Sequence, residues 1–166
     1  MRDETLGQEL EIAFARQSDC LELAEMSRVL IEHGLKWRWK PSRVLSLIQH
    51  PDCVVIVAKV NSVIQGFAAM EFYELHGHLN LLAVKPQQRR RGIGRELLNW
   101  MESSASIAGL DYIALEVRSS NSVAIEFYQQ ANYEIDQLQK GYYLGVEDAY
   151  HMTHELISRE VAVQRP

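Results

Sequence analysis

A mixed α/β chain, with about seven strands and four helices around a partly parallel sheet, is what this sequence predicts. Three observations carry that expectation. Short apolar runs of strand length and amphipathic runs of helical spacing follow one another in the order β, α, α, β, β, β, α, β, α, β, β. The strand–helix–strand unit from Leu79 to Val117 is long enough for a crossover, which makes its two strands parallel and its connection right-handed. The Asn61-Ser62 pair between two apolar runs reads as a hairpin turn, which makes the strands on either side of it antiparallel.

The elements follow in order. After a polar N-terminal stretch, "LEIAFARQ" alternates loosely and reads as a first strand. Asp19 is placed to cap a helix through "CLELAEMSRVLIEH", with Leu23, Met26, Leu30 and Ile31 near helical spacing and Gly34 as its stop. "LKWRWKPS" connects to a short second helix, "PSRVLSLIQH", opened by Pro41. "CVVIVAKV" and "VIQGFAAMEFYEL" form the hairpin, and "HLNLLAVKP" is a further strand ended by Pro86. The longest helix runs from Gly92 to about Ala108, with Ile93, Leu97, Met101, Ala105 and Ala108 on one face and Gly109 as its stop. "DYIALEVR" is an apolar strand holding one carboxylate, Glu116. "NSVAIEFYQQAN" is a helix with Val123, Ala124, Phe127, Tyr128 and Ala131 on one face. "YEIDQLQKGYYL" and "EDAYHMTHEL" read as two closing strands, and "ISREVAVQRP" as a frayed tail. With no repeat, low-complexity stretch or linker, one domain over residues 1–166 is expected, its core at about 10–157.

Composition narrows the function classes. A hydrophobic fraction of 47% and a charged fraction of 23% are those of an ordinary globular protein. The net charge of -5 argues against a broad nucleic-acid surface. Two isolated cysteines, Cys20 and Cys53, offer neither a disulfide framework nor a metal-ligand spacing and fit a reducing compartment. The N-terminus has acidic residues where a signal peptide needs a positive and then an apolar region, and no segment has the apolar length of a membrane span. A cytoplasmic location away from membranes is expected.

Against that acidic balance, "KPQQRRRGIGRELL" stands out. The first amides of a helix lack intrachain acceptors, and the helix dipole adds positive character there. Gly92 and Gly94 let an anion approach the backbone, and Arg89, Arg90, Arg91 and Arg95 surround that opening. The arrangement describes a phosphate cradle. A Walker loop would need Gly-Lys-Ser/Thr where Gly94-Arg95-Glu96 stands, and a dinucleotide fingerprint would need a small third residue where Leu97 stands. A solvated basic turn is the plain alternative for a lone arginine triplet. Its position between a buried-looking strand and the longest helix favours the cradle.

The stretch "RRRGIG", Arg89 to Gly94, resembles the Gln/Arg-x-x-Gly-x-Gly/Ala acyl-CoA signature of the GNAT superfamily of N-acetyltransferases. The resemblance continues through "LEVRSSNSVAIEFYQQANY" and into "GYYLGVEDAYHM", covering roughly Gly77 to Met152. Within the superfamily it is closest to the ribosomal-protein-alanine acetyltransferases, which acetylate protein N-termini. The resemblance implies a three-layer fold with helices on both faces of a mixed sheet of about seven strands. It implies acetyl-CoA as co-substrate, with the backbone of Leu82, Ala83 and Val84 pairing with the pantetheine arm. The amides from Arg90 through Ile93 to Arg95 would hold the pyrophosphate.

Acetyl transfer from a thioester to an amine needs a neutral amine, a stabilised carbonyl oxygen and a proton for the departing thiolate. Glu116 matches the family's catalytic Glu and is the candidate base; flanked by apolar residues, its pKa is expected to be raised. An ion pair with Arg118, or solvation at the strand end, is the competing reading. Tyr128 is the candidate acid and cofactor contact, against the alternative of a core tyrosine bonded to backbone. Asn121 can cap its helix, and the resemblance adds a bond to the cofactor. Trp37 and Trp39 either line an acceptor groove or anchor a loop. Tyr142 and Tyr143 stand where the family has an acceptor-contacting Asn-Tyr-Tyr-Pro segment, here "GYYLGVEDA", without the Pro and with a shorter loop. His76 and His78, two apart, could share a strand face, and His151 and His154 are three apart, yet neither pair has a third ligand, so no metal is expected.

The expected activity is direct, acetyl-CoA-dependent N-acetylation of a primary amine, a peptide or protein N-terminus first. A small amine such as an antibiotic, polyamine or amino acid is the alternative acceptor, and a non-catalytic acyl-CoA-binding module the alternative class. A nucleic-acid partner is disfavoured by charge, and a monomer or a homodimer fits equally.

Overall fold

The computed structural model describes residues 9–156, so the N-terminal stretch and the "ISREVAVQRP" tail read above lie outside the described residues. Seven strands form one sheet: β1 (Leu10–Phe14), β2 (Cys53–Val60), β3 (Val63–Phe72), β4 (His76–Val84), β5 (Tyr112–Arg118), β6 (Glu134–Tyr143) and β7 (Glu147–Glu155). Their spatial order is β1-β2-β3-β4-β5-β7-β6, all antiparallel except the β4–β5 pair. Four helices complete the fold: α1 (Cys20–Met26), α2 (Pro41–Gln49), α3 (Ile93–Ile107) and α4 (Ser122–Gln130).

Local chemistry explains these boundaries. Asn61 and Ser62 both adopt positive φ, 51° and 64°, the geometry that closes a two-residue hairpin between β2 and β3. Pro41 opens α2 at a position whose amide has no partner in the helix, and Gly109, at φ 78°, ends α3. One face of α3 buries Ile93, Leu97, Leu98, Met101 and Ala105. Each large apolar side chain there contributes about 1.5–3 kcal/mol by leaving water, which clamps the helix to the sheet.

Two cores lie on opposite faces. α3 and α4 pack over Ile56, Ala68, Met70, Leu79, Ile113, Leu115 and Met152, whereas α1 and α2 pack over Val55, Val57, Phe67, Ala69, Leu81 and Ala83. Leu79 and Leu81 are two residues apart, and plain alternation would put them on one face. They belong to different cores because the β3–β4 register shifts between Ala69 and Met70, which pair with Leu81 and Leu79. The extra residue is Asn80, a β-bulge that exchanges the two faces of β4 along its length.

Beyond the bulge β4 loses its other neighbour. It pairs with β5 only over His76–His78 against Tyr112–Ala114, so the two strands splay apart towards their carboxyl ends. That gap is where ligands collect in sheets of this kind.

Three sequence expectations change in detail. Asp19 stands at the N-cap of α1, but its carboxylate bonds no amide of that helix; it accepts from the Arg16 amide at 2.7 Å and closes a 3-10 turn over Gln17–Asp19. The first helix does not run evenly to Gly34, because α1 passes into a π-helical turn over Ser27–Ile31. Val123 is 74% exposed and Ala108 is exposed as well; the face that α4 presents to the core is Ala124, Ile125, Phe127, Tyr128 and Ala131.

Candidate active site

A cleft of about 410 Å³ opens at the splay of β4 and β5. It is lined from one side by the segment after α1, from the other by the β6–β7 turn, and at its floor by His78, Asn80, Leu82 and Glu116. Tyr128 and Asn121 line it from α4. Because Ile113, Leu115 and Val117 point into the α3–α4 core, Glu116 points to the opposite face of the sheet. Tyr128 belongs to the α3–α4 core, so the candidate acid and base flank the gap from opposite faces.

Glu116 is not paired with Arg118. Its Oε2 lies 2.6 Å from Nε2 of His78, and Nδ1 of His78 in turn faces Oδ1 of Asn80. The expectation of a raised Glu116 pKa is therefore corrected. Burial does push the carboxyl up, but the hydrogen bond and charge of His78, then His151 and the approaching Tyr142 hydroxyl, bring it below its ordinary value. His78 shows the mirror image: burial pulls it down, and Glu116, Asn80 and Glu71 carry it above its ordinary value. The carboxylate and imidazole are one coupled unit.

The sequence alone points to His78 only as half of a possible metal pair with His76. Its partner is 38 residues away, and what joins them is the parallel register His78↔Ala114, which puts Glu116 one pleat further along the same face. Ionisable groups continue across the sheet on that face. Glu71 is opposite His78 and His151 is opposite Glu116, with His151 Nδ1 held 2.6 Å from Asp136.

Tyr128 is 8% exposed, edge-on to Phe127 and Tyr133. Burial, helped by Tyr143, pushes its hydroxyl well above the ordinary phenol value, which keeps it protonated and able to donate. Asn121 caps α4, its Oδ1 accepting from the Ala124 amide at 3.1 Å.

The turn after β4 has the features of an anion cradle. Gly92 is the N-cap of α3 at φ 80°, and a side chain built there would meet nothing within 4 Å. The helix ladder begins with the Glu96 amide donating to Gly92 at 3.0 Å, so the amides of Ile93, Gly94 and Arg95 precede it. Arg89, Arg90 and Arg91 are all exposed around this opening. Arg89 Nε donates to the Val84 carbonyl at 3.3 Å and Arg91 to Gln88 Oε1 at 3.3 Å. Leu82, Ala83 and Val84 lie on the stretch of β4 that has β3 on one edge and the gap on the other. These residues fit a long ligand with a diphosphate at one end.

The aromatic residues divide. Trp39 lines the cleft, with the Arg43 guanidinium 3.8 Å from its ring centroid. Trp37 packs against the α1–α2 core, and its indole donates to the Trp39 carbonyl at 3.0 Å. Tyr142 and Tyr143 both line the cleft and meet edge-on. Glu32 is a further residue of the site. The π-helical turn directs its carboxylate inward, where it accepts from Ser27 Oγ and from the amides of Arg38 and Trp39. A glutamate in an ordinary helical run carries no signal of that role.

Comparison with known proteins identifies the family. The acetyltransferase (GNAT) family model matches residues 14–133. N-alpha-acetyltransferase 20 of Dictyostelium discoideum is 28% identical over 146 residues, covering 85% of this chain and 84% of that protein. An N-acetyltransferase of Methanocaldococcus jannaschii is 38% identical over 104 residues, 62% of this chain and 66% of its own length. Among solved structures, Ard1 of Thermoplasma volcanium superposes with a TM-score of 0.80 at 22% identity, over 90% of this chain and 99% of that one. The ribosomal-protein-S18-alanine N-acetyltransferase of Escherichia coli gives 0.79 at 23%, over 90% and 96%. The match runs from the end of β1 through the splayed strands and α4 to Tyr133, and the chain belongs to the acetyltransferase (GNAT) family.

Proposed function

We propose that this acyltransferase moves the acetyl group of acetyl-CoA directly onto the α-amino group of a peptide or protein N-terminus. The observation that carries the reading is the coupled Glu116–His78 pair on one face of the β4–β5 gap, with the Tyr128 hydroxyl on the other. Relatives named for N-terminal acetylation, in Dictyostelium discoideum and Arabidopsis thaliana, support a peptide acceptor over a small amine.

Each residue then has a defined task. The amides of Gly94 and Arg95, with Arg89, Arg90 and Arg91, bind the diphosphate of the co-substrate, and the gap edge of Leu82–Val84 holds its arm. An α-amine has a pKa of about 7.7–8.0, so it reaches neutrality with little help. The Glu116–His78 pair accepts the proton that the amine loses as its nitrogen bonds to the acetyl carbon. As the carbon–sulfur bond breaks, Tyr128 donates its proton to sulfur and regains one from solvent. Trp39, Tyr142 and Tyr143 line the acceptor side. Two free cysteines support the cytoplasmic location expected from the sequence, and no helix among the described residues is long and apolar enough to cross a membrane.

The test is coenzyme A release from acetyl-CoA over peptides with free and with blocked N-termini, beside a panel of small amines. Turnover on free-amine peptides is expected. Turnover confined to small amines would overturn the acceptor, and an absence of coenzyme A binding by calorimetry would overturn the whole reading.

A further inference from the structure

Two walls bound the acceptor side of the cleft, and both are irregular chain. One is the segment that follows the π-helical turn, from Gly34 at φ 77° through Leu35 and Arg38 to Trp39. The other is the β6–β7 turn, with Gly141, Leu144 and Gly145 all at positive φ. Each has its own internal tie. Glu32 binds the amides of Arg38 and Trp39 within the first wall, and Asp148 Oδ1 accepts from the Gly141 amide at 2.8 Å within the second.

A third tie crosses between them. Arg118, at the carboxyl end of β5, has a side chain only 17% exposed. Its Nη1 donates to the His33 carbonyl at 2.6 Å and its Nη2 to the Ile31 carbonyl at 2.8 Å. The same guanidinium ion-pairs with Glu147 at 3.1 Å, at the start of β7, and lies 5.8 Å from the Tyr143 ring centroid. The carbonyls it takes are at the end of the first helix, where they lack helical partners and where the dipole favours a cation. The other oxygen of Glu147 is engaged by Ser120 Oγ at 3.2 Å, which fixes the carboxylate.

We infer that Arg118 is a positioning residue that sets the width of the acceptor groove by bracing its two walls. The inference rests on the reading of this cleft as a peptide acceptor site and deepens it. A planar fork reaches two carbonyls and a carboxylate at once, in directions that an ammonium cannot reproduce. A groove held at its working width before the peptide arrives loses less conformational freedom on binding. Arg118 therefore acts on the acceptor: its guanidinium engages Ile31, His33, Glu147 and Tyr143, all in the two walls, whereas the diphosphate cradle is built on the separate turn between β4 and α3.

The test compares wild type with Arg118→Lys, and with Glu147→Gln as a second variant approaching the brace from the other side. Peptide KM, coenzyme A affinity by calorimetry and amide hydrogen exchange are measured on each. For Arg118→Lys, peptide KM is expected to rise about tenfold, with coenzyme A affinity within about twofold of wild type. Exchange should quicken in both residues 33–40 and residues 141–147 while the sheet stays protected. Glu147→Gln should shift the same quantities in the same direction by less. An unchanged peptide KM, a parallel loss of coenzyme A affinity, or exchange that quickens in one wall alone would overturn the brace. Wild type that binds coenzyme A and acetylates no peptide would instead overturn the acceptor reading, and the exchange result would still decide the brace.

Discussion

Replacing Glu116 with Gln tests the coupled pair directly, because the amide keeps the shape and an acceptor oxygen while removing the charge. The 2.6 Å contact joins side chains that are 13% and 24% exposed, so solvent screens it little. A hydrogen bond to a charged group contributes about 1.5–3 kcal/mol, and loss of its ionic part is expected to cost about 1–2 kcal/mol. The sign with pH follows from both partners. His78 is raised above its ordinary 6.5, so its contribution is full below that value and is lost as pH rises through the folded pKa. Glu116 is lowered below its ordinary 4.5, so its contribution is full above that value and is lost as pH falls through the folded pKa. The Tm difference between wild type and Glu116→Gln should therefore be largest between pH 4.5 and 6.5 and should shrink in alkali. Without the carboxylate, His78 loses its largest raising influence while burial still pulls it down, so its imidazole pKa should fall from the wild-type value by NMR. Loss of the base should lower kcat/KM for peptide by about 10²–10³ with coenzyme A affinity kept. An unmoved His78 titration together with activity within threefold of wild type would refute the pairing and the role built on it.

Four other outcomes are expected. Tyr128→Phe should lower kcat by about 10²-fold at unchanged coenzyme A affinity, and rapid-quench kinetics should show the loss in the chemical step. Gly92→Ala forces a side chain into φ 80° without any clash, so its cost should be strain alone, about 1 kcal/mol by chemical denaturation. Neutralising Arg89, Arg90 and Arg91 together should weaken coenzyme A binding and flatten its dependence on salt, as calorimetry at two ionic strengths would read. Cys53 is pushed up to about 11 by burial and then by Glu71 and Asp52, so neutral alkylating reagents at pH 8 should leave it unlabelled in the folded protein.

What the sequence revealed and what it hid divide along a physical line. The long helix, the Asn61-Ser62 turn and the crossover are local signals, written in periodicity and turn chemistry, and the structure has each of them. The order β5-β7-β6 is not local: it depends on which strand the last hairpin offers to β5, and alternation in β6 and β7 is silent on that. The bulge at Asn80 leaves burial alternating along β4 without a break, so the exchange of faces at Leu79 and Leu81 has no trace in the pattern. His78 is the instructive case. Its spacing to His76 drew attention to metal chemistry, whereas the crossover already implied a parallel partner on which Glu116 sits one pleat away. For Glu32 and Arg118 the partners are loop amides and carbonyls, which every residue possesses, so no choice of side chain in the loops could have announced them.

The bulge and the splay together account for why acid and base need not compete. β5 continues without a bulge, so Glu116 stays on the face that α1 and α2 leave open beyond β4, while α4 brings Tyr128 to the other face. In the proposed transfer, a reacting carbon held in the gap would meet a proton acceptor on the side where the amine enters and a donor on the side where sulfur departs. Such an arrangement suits direct transfer with both substrates present. A covalent route through cysteine would need a ready thiolate at the gap, and neither Cys53, held in its thiol form at neutral pH, nor Cys20, on α1, is among the residues that line it. The proposed chemistry is divided between two faces of one sheet, and a single extra residue in β4 sets which core each half of that strand joins.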